Sequence, residues 1–371
     1  MIKPQTLVIL TPGFPVNELD STCLPPQQIF VRSLKQQYPN LDIVVLTFEY
    51  PLAKITYNWF GVKVIALGGK NKKRLYRALN WARAWRVLQQ LNKQQNVVGL
   101  LSFWLDECAL VGHYFAKKHN IQHFSWILGQ DAKPGNRYFK MMKPTGDSLI
   151  ALSDFIRKQV YTNYGIMAKH TIPPGVDVSG FEPGKPDKDI DILGVGSLIA
   201  LKQYDVFIEV IKTISRYWPD IRAVLCGKGP EKENLQKLIH KYGLEKNILL
   251  CNELSHSEVL ALMQRSRVFL HTSNYEGFGV VILEALYAGA QVVSFVKPMD
   301  EIAEHHSAVS NLEQIQQKVL ELLLDEQTDH SSVLPYPIEQ TAEKIMHLFI
   351  QSDDAICDIL PAIAEKESSV L

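Results

Sequence analysis

Residues 267–290 read RVFLHTSNYEGFGVVILEALYAGA, and their order decides the fold. RVFLHTS is a short run of apolar, β-branched and aromatic residues, the pattern of a strand buried on both faces. NYEGFG turns the chain, because Gly277 and Gly279 allow a close approach of backbone that other residues forbid. The apolar stretch that follows reads as a helix ending near Gly289. Strand, glycine loop and helix in that order make one βα unit of a parallel sheet. Glu276 and Glu284 fit poorly in a merely buried segment, since the seven residues between them are apolar or glycine.

Working outward, the alternation repeats along the chain. TLVILT (6–11), DIVVLTF (42–48), VVGLLSF (97–103), QHFSWIL (122–128) and SLIALS (148–153) are strand-like, with helical patterns in several of the gaps. At 173–189, PPGVDVSGFEPGKPDKD concentrates proline, glycine and charge, which predicts a domain junction. The pattern then restarts with DIDILGVGSL, RAVLCG, NILLCN, RVFLHTS and QVVSFV. The expectation is an α/β chain of two Rossmann-like, doubly wound parallel-sheet domains, residues 1–175 and 176–341.

A chain of 371 residues, 46% hydrophobic, is long enough for two cores. Its net charge of zero gives no global reason to expect nucleic acid as a partner. Five scattered cysteines without a C-x-x-C pair or zinc spacing fit a reducing cytoplasm and core filling. The N-terminus MIKPQTLVIL opens on a strand and lacks the features of a signal peptide. The longest apolar run, 278–296, is interrupted by Glu284 and Gly289, which argues against a membrane span. The expected location is therefore cytoplasmic.

Zero net charge conceals an asymmetry. Tyr50 to Leu105 contains ten Lys or Arg and no acidic residue, seven of the ten lying between Lys70 and Arg86. From Asp300 to the end there are fifteen acidic residues against three basic. KNKKRLYRALNWARAWRVLQQL (70–91) has helical spacing, with Leu75, Leu79, Ala82 and Leu88 on one stripe and Trp81 and Trp85 interleaved. It reads either as a solvated helix with a core-facing stripe, or as a surface for an anionic lipid or acceptor that would hold the protein at the inner face of a membrane.

Ligands of open parallel sheets bind beyond the carboxyl ends of the strands. After RVFLHTS, the N–H groups around Phe278, Gly279 and Val280 at the helix start form an anion site suited to phosphate. Glu276 and Glu284 cannot face a phosphate without repulsion, so they are better used as acceptors for hydroxyl groups. A diphosphate flanked by two hydroxyl-rich rings is a nucleotide sugar. Two other loops suit that ligand. VGSLIALKQYD (195–205) places Gly196 and Ser197 after a strand and brings Lys202 within reach of a diphosphate. CGKGPEKEN (226–234) supplies Gly227, Lys228 and Gly229, and Glu253 follows the strand NILLCN. Taken alone, Lys202 is more often a solvated lysine, and CGKGP reads equally well as a tight turn.

In this order, IPPGVD, VGSL with Lys202, CGKGP and HTSNYEGFG with Glu284-Ala285 carry a resemblance. The chain resembles the retaining glycosyltransferases of the GT-B fold, family four or group one, whose E-x7-E signature corresponds to Glu276 and Glu284. Residues 148–296 carry the resemblance well and the rest does so by architecture. It implies two domains facing a central cleft, with the C-terminal segment 342–371 completing the first. It also implies metal-independent transfer from a nucleoside diphosphate sugar to a glycan, lipid-linked or other acceptor, with no cofactor. Glu284 would bind the ribose, Glu276 would lie by the donor sugar, and Lys202 with the amides of 278–280 would stabilise the departing diphosphate. Gly13, after the first strand, joins the donor-binding residues, and Asp131 joins Lys202 and Glu276 as a catalytic candidate.

The chain departs from the family pattern at named positions. Ser197 stands where Arg is common, Leu128-Gly129-Gln130-Asp131 replaces His-Gly-x-Asp, Pro12-Gly13 replaces a double glycine, and VKPMDE offers Glu301 in place of a regular G-x-x-E. Three readings stay open on the residues alone: an active retaining glycosyltransferase, a catalytically weak nucleotide-sugar-binding relative or partner subunit, and a Rossmann oxidoreductase. The third is disfavoured because Ile199 occupies the place of the third glycine of G-x-G-x-x-G. Asp187, Asp189 and Asp191 imitate a D-x-D metal motif but precede a strand, and are expected to be solvated.

Overall fold

The computed structural model describes residues 3–69, 74–184 and 186–350. The chain divides into two compact units, one of residues 1–175 with 338–371 and one of residues 176–337. It leaves the first unit at Gly175 and re-enters it at Ile338. Val176 N donates to Tyr336 O at 2.9 Å within the second unit, and Thr341 Oγ1 donates to Pro173 O at 3.1 Å within the first. The proline-rich 173–189 stretch is accordingly anchored at Pro173, Val176, Glu182 and Asp189. Gln264 accepts from Glu182 N at 3.3 Å and donates to Glu182 O at 2.9 Å, and Asp189 pairs with Arg265.

Among the described residues the first unit has eight strands: β1 (Gln5–Gly13), β2 (Asp42–Tyr50), β3 (Ile55–Trp59), β4 (Val62–Ala66), β5 (Asn96–Phe103), β6 (His123–Ile127), β7 (Leu149–Ala151) and β8 (His170–Thr171). Their order is β3-β4-β2-β1-β5-β6-β7-β8, and only β3 runs antiparallel to its neighbour. The β3–β4 hairpin carries no Asn-Gly turn signal, and the strand pattern of the sequence does not reveal it. Its two-residue turn is Phe60-Gly61, with φ of 44° and 77°, so Phe60 takes the left-handed backbone usually left to Asn. Helices α1 (Pro25–Gln37), α2 (Arg74–Gln94), α3 (Glu107–His119), α4 (Arg137–Met142) and α5 (Asp154–Tyr164) fill the connections.

The α2 stripe differs from the expected one. Asn80, Ala84, Leu88 and Leu91 are buried, whereas Leu79 and Ala82 face solvent. The shift has a polar cause: Asn80 Nδ2 donates to Phe48 O at 2.7 Å and heads the buried seam. Trp85 packs edge-on against Phe115, and Trp81 Nε1 donates to Glu107 at 2.7 Å, so both rings serve the helix packing. Lys70, Lys72 and Lys73 lie outside the described residues, as does Cys357.

Among its described residues the second unit has six strands, all parallel: β9 (Ile190–Val195), β10 (Ala223–Cys226), β11 (Ile248–Cys251), β12 (Ser266–His271), β13 (Gln291–Ser294) and β14 (His306–Ala308), ordered β11-β10-β9-β12-β13-β14. Helices α6 (Tyr204–Ile214), α7 (Lys232–Tyr242), α8 (His256–Gln264), α9 (Val280–Tyr287) and α10 (Leu312–Leu324) accompany them. Its core joins Phe207, Ile208 and Ile211 of α6 to Ile192, Leu225, Val268 and Leu270 of the sheet. At about 25 cal/mol per Å² of apolar surface, such fully buried side chains each contribute roughly 1.5–3 kcal/mol.

A last helix, α11 (Ile338–Ile350), returns to the first unit and packs against α1. There Phe349 is fully buried beside Gly99, where a Cβ would stand 2.3 Å from the ring. Two of the three aspartates are not simply solvated: Asp189 pairs with Arg265 and Asp191 accepts from Arg222 N at 2.9 Å, whereas Asp187 is exposed. Among the described residues no cluster of three or more His, Cys, Asp or Glu could hold a metal ion, and no helix is long and apolar enough to cross a membrane.

Candidate functional site

The carboxyl ends of β9, β10 and β12 carry the loops that the sequence singles out. Gly196 and Gly227 have φ of 151° and 156°, and a Cβ on Gly227 would lie 1.9 Å from Gly196 O. A Cβ on Gly229 would lie 2.3 Å from Leu198 O. The first need for these glycines is therefore mutual: the CGKGP turn lies against the VGSL loop, backbone on backbone, with Leu198 N donating to Lys228 O at 2.9 Å. Ser197 is exposed at the outside of this pair of turns.

The β9 loop is also tied to the β12 loop. Thr272 Oγ1 donates to Lys202 O at 2.7 Å, which fixes the backbone of Lys202, and the Lys202 Nζ is bonded to Glu276 Oε1. Ser273 Oγ donates to the same oxygen at 3.0 Å, and His271 Nε2 lies 3.4 Å from it. Burial would push the Glu276 carboxyl up, but the His271 contact and the Lys202 charge outweigh it and hold the carboxyl at about 2. Burial lowers His271, so its ring is neutral near pH 7. Lys202 and Glu276, expected to address separate parts of a ligand, are partnered with each other here. A firmly ionised carboxylate beside a neutral histidine offers no ready general acid. It does offer a positioned ammonium group with a hydroxyl acceptor beside it.

Gly279, with φ 80°, caps α9 without a side-chain bond. The N–H groups of Val280 and Val281 at the start of the helix have no carbonyl partner within it. Phe278, 2% exposed, turns inward and packs edge-on against Tyr336 at 5.8 Å, so only its backbone is available to a ligand. Gly277 is buried beside it. Glu284 stands in the second turn of α9, 8% exposed, with Ile282, Leu283, Ala285 and Leu286 buried around it. Its Oε1 lies 2.8 Å from His256 Nε2 at the first position of α8. Lys228 and Glu253, both expected to touch a donor, form an exposed ion pair with each other, and Lys232 Nζ donates to Asn252 at 2.5 Å beside them.

Two expected residues fall in the first unit. Gly13 ends β1 against the Cβ of Tyr50, with no strained backbone. Asp131, 8% exposed, accepts N–H bonds from Leu105 at 2.8 Å, Gly129 at 2.8 Å and Leu128 at 3.2 Å. Burial raises its carboxyl to about 6 despite these donors. All three partners are backbone amides, so in this structure the carboxylate ties the loop after β6 to Leu105 beyond β5.

His256, His271 and Ser273 escape the sequence reading. A lone His at a helix start or strand end carries no spacing signal, and only the fold brings them to Glu284 and Glu276. Their one trace in sequence was that both glutamates, in an apolar setting, needed partners.

With this geometry in view, the likeness to known proteins is informative. Residues 177–333 match the family described as Glycosyl transferases group 1. The gpi3 subunit of a phosphatidylinositol N-acetylglucosaminyltransferase from Schizosaccharomyces pombe is 29% identical over 164 residues, covering 43% of this chain and 36% of that protein. The 2-deoxystreptamine N-acetyl-D-glucosaminyltransferase of Niallia circulans is 27% identical over 103 residues, covering 28% and 26%. The chain thus spans well under half the length of these curated relatives. Among solved structures, sucrose-phosphate synthase from Thermosynechococcus elongatus matches with a TM-score of 0.67 at 16% identity, over 95% of this chain and 100% of that one. An Anabaena protein in complex with UDP and glucose matches with a TM-score of 0.65 at 15% identity, over 95% and 99%. At such identities the likeness shows a shared fold, GT-B.

Proposed function

We propose, from the match of residues 177–333 to the group 1 glycosyltransferase family, that the chain moves a sugar from a nucleoside diphosphate sugar to a glycan or lipid-linked acceptor, with retention of configuration and without a metal ion. The observation that carries this reading is the assembly at β9 and β12: the Lys202–Glu276 pair, the open start of α9, and Glu284 one turn further along. Lys202 and the α9 amides take the diphosphate, Glu284 takes the ribose hydroxyls, and Glu276 takes a hydroxyl of the donor sugar. In the transfer, the bond from the anomeric carbon to the diphosphate oxygen breaks and the acceptor oxygen bonds to that carbon on the same face. The acceptor's proton passes to the departing diphosphate. Negative charge grows on the diphosphate, where Lys202 stabilises it most in the transition state.

The N-acetylglucosaminyl transfer for which both relatives are named favours UDP-N-acetylglucosamine as the first donor to test. On the acceptor side, α2 presents exposed Tyr76 and Leu79 together with Arg83 and Arg86, and a cleft between Lys54, Tyr76, Asn80 and Arg83 opens beside them. That combination suits an acceptor or membrane surface bearing anionic groups.

Incubation with UDP-, GDP- and ADP-sugars, followed by nucleotide release and product NMR, tests the proposal. Release that survives EDTA, with the anomeric configuration kept, supports it. Binding without turnover on any acceptor selects the catalytically weak relative instead, and an inverted product excludes the retaining mechanism.

A further inference from the structure

His256 stands outside the machinery assigned above, yet it meets the residue on which nucleoside recognition would depend. Glu284 is a carboxylate at 8% exposure on an apolar helix, and an ionised group so placed is costly unless it has a partner. His256 Nε2, at 2.8 Å, bonds Oε1 and no residue bonds Oε2 among those described. The ring comes from a rigid place. His256 is the first residue of α8, whose start is locked by a capping box: Ser255 N donates to Glu258 at 2.8 Å and Glu258 N donates back to Ser255 Oγ at 3.3 Å. One oxygen of Glu284 is thus pinned by a fixed donor and the other is left to accept.

We infer that His256 is a positioning residue for nucleoside recognition, holding Glu284 by Oε1 so that Oε2 meets the ribose hydroxyls. The inference rests on the nucleotide-sugar reading above and adds to it a pH dependence of donor affinity. The Glu284 hydrogen bond, opposed by burial and aided by the charges of Glu284 on α9 and Asp177 before the second sheet, raises the imidazole above its usual 6.5. Glu258, on the same helix, is occupied with Ser255. Protonated, His256 makes a charge-assisted bond that holds Glu284 firmly. As pH rises through its folded-state value the charge goes, a neutral and weaker bond remains, and the carboxylate gains freedom. His271, the other histidine of the site, is shifted downward by burial and titrates below this window.

The test is calorimetric affinity for UDP-N-acetylglucosamine from about pH 5.5 to about 8.5, on the wild type, His256→Gln and His256→Ala. A nucleotide sugar suits the purpose because its diphosphate, esterified at both ends, has no proton to lose in this range. Wild-type affinity should fall about three- to tenfold as pH rises, with an inflection above 6.5. His256→Gln keeps an N–H donor without a titrating charge, so its profile should be flat and close to the wild type at high pH. His256→Ala should lose about tenfold or more at every pH. A merely structural histidine would lower the melting temperature of the variants and leave affinity and its pH profile intact, which would overturn the inference. So would a wild-type profile that persists in His256→Gln. If the wild type binds neither this donor nor GDP- or ADP-sugars, the nucleotide-sugar reading itself fails.

Discussion

Replacing Lys202 by Ala removes the cation from Glu276 in the ligand-free protein, and the structure fixes what that should cost. Both side chains are only 18% exposed. Holding the Glu276 carboxyl at about 2 rather than 4.5 corresponds to about 3 kcal/mol in favour of the folded anion. Lys202 shares that effect with His271, so Lys202→Ala should destabilise the protein by about 1–2 kcal/mol at pH 7, through a carboxylate left buried without its cation. Lys202→Ala combined with Glu276→Gln removes that stranded charge and should recover most of the loss, a coupling of about 1–2 kcal/mol in a double-mutant cycle. Urea unfolding at pH 7 measures all four proteins. The folded-state value is depressed, so the stabilisation is complete above pH 4.5 and disappears as pH falls toward about 2. Additive effects at pH 7 would refute the reasoning.

Three further outcomes follow from separate features. Asp131→Asn must turn an amide donor toward backbone N–H groups, so it should cost about 1–3 kcal/mol in thermal unfolding while nucleotide affinity stays unchanged. Because burial raises Asp131 to about 6, the wild type should lose stability as pH rises from about 4 through 6, a loss the variant lacks. Gly227→Ala places a Cβ 1.9 Å from Gly196 O at φ 156°, and should cost about 3 kcal/mol or more together with donor affinity. If α2 meets anionic acceptors or membranes, binding to vesicles containing anionic lipid should weaken as salt rises, since exposed charges are screened within about 10 Å at 0.1 M. Changing Lys54, Arg83 and Arg86 to Gln should weaken it too, and co-sedimentation insensitive to both would contradict the proposal.

The two parallel sheets were legible because buried strands write themselves as apolar runs and the glycine turns after them have few substitutes. The hairpin at 55–66 was not, since its turn uses Phe60 in a backbone conformation that side chains disfavour. On α2 the spacing was helical but the seam was misjudged, because a buried Asn80 bonded to Phe48 O outweighs the hydrophobicity of Leu79. In the site, Glu276, Glu284 and Lys202 stood out through position after strands. Their partners did not: His271, Ser273 and His256 gain meaning only from distances that the fold sets. Asp131 was marked by motif alone, and only the fold shows its carboxylate bonded to the backbone of Leu105, Leu128 and Gly129.

The central claim is that Glu284 addresses the nucleoside and Glu276 the donor sugar. Calorimetric affinities for UDP and for UDP-N-acetylglucosamine, on folded Glu284→Gln and Glu276→Gln, test it most directly. Glu284→Gln should weaken both ligands alike by about 1–3 kcal/mol, whereas Glu276→Gln should spare UDP and weaken the intact donor. Equal losses for both ligands in both variants would contradict it.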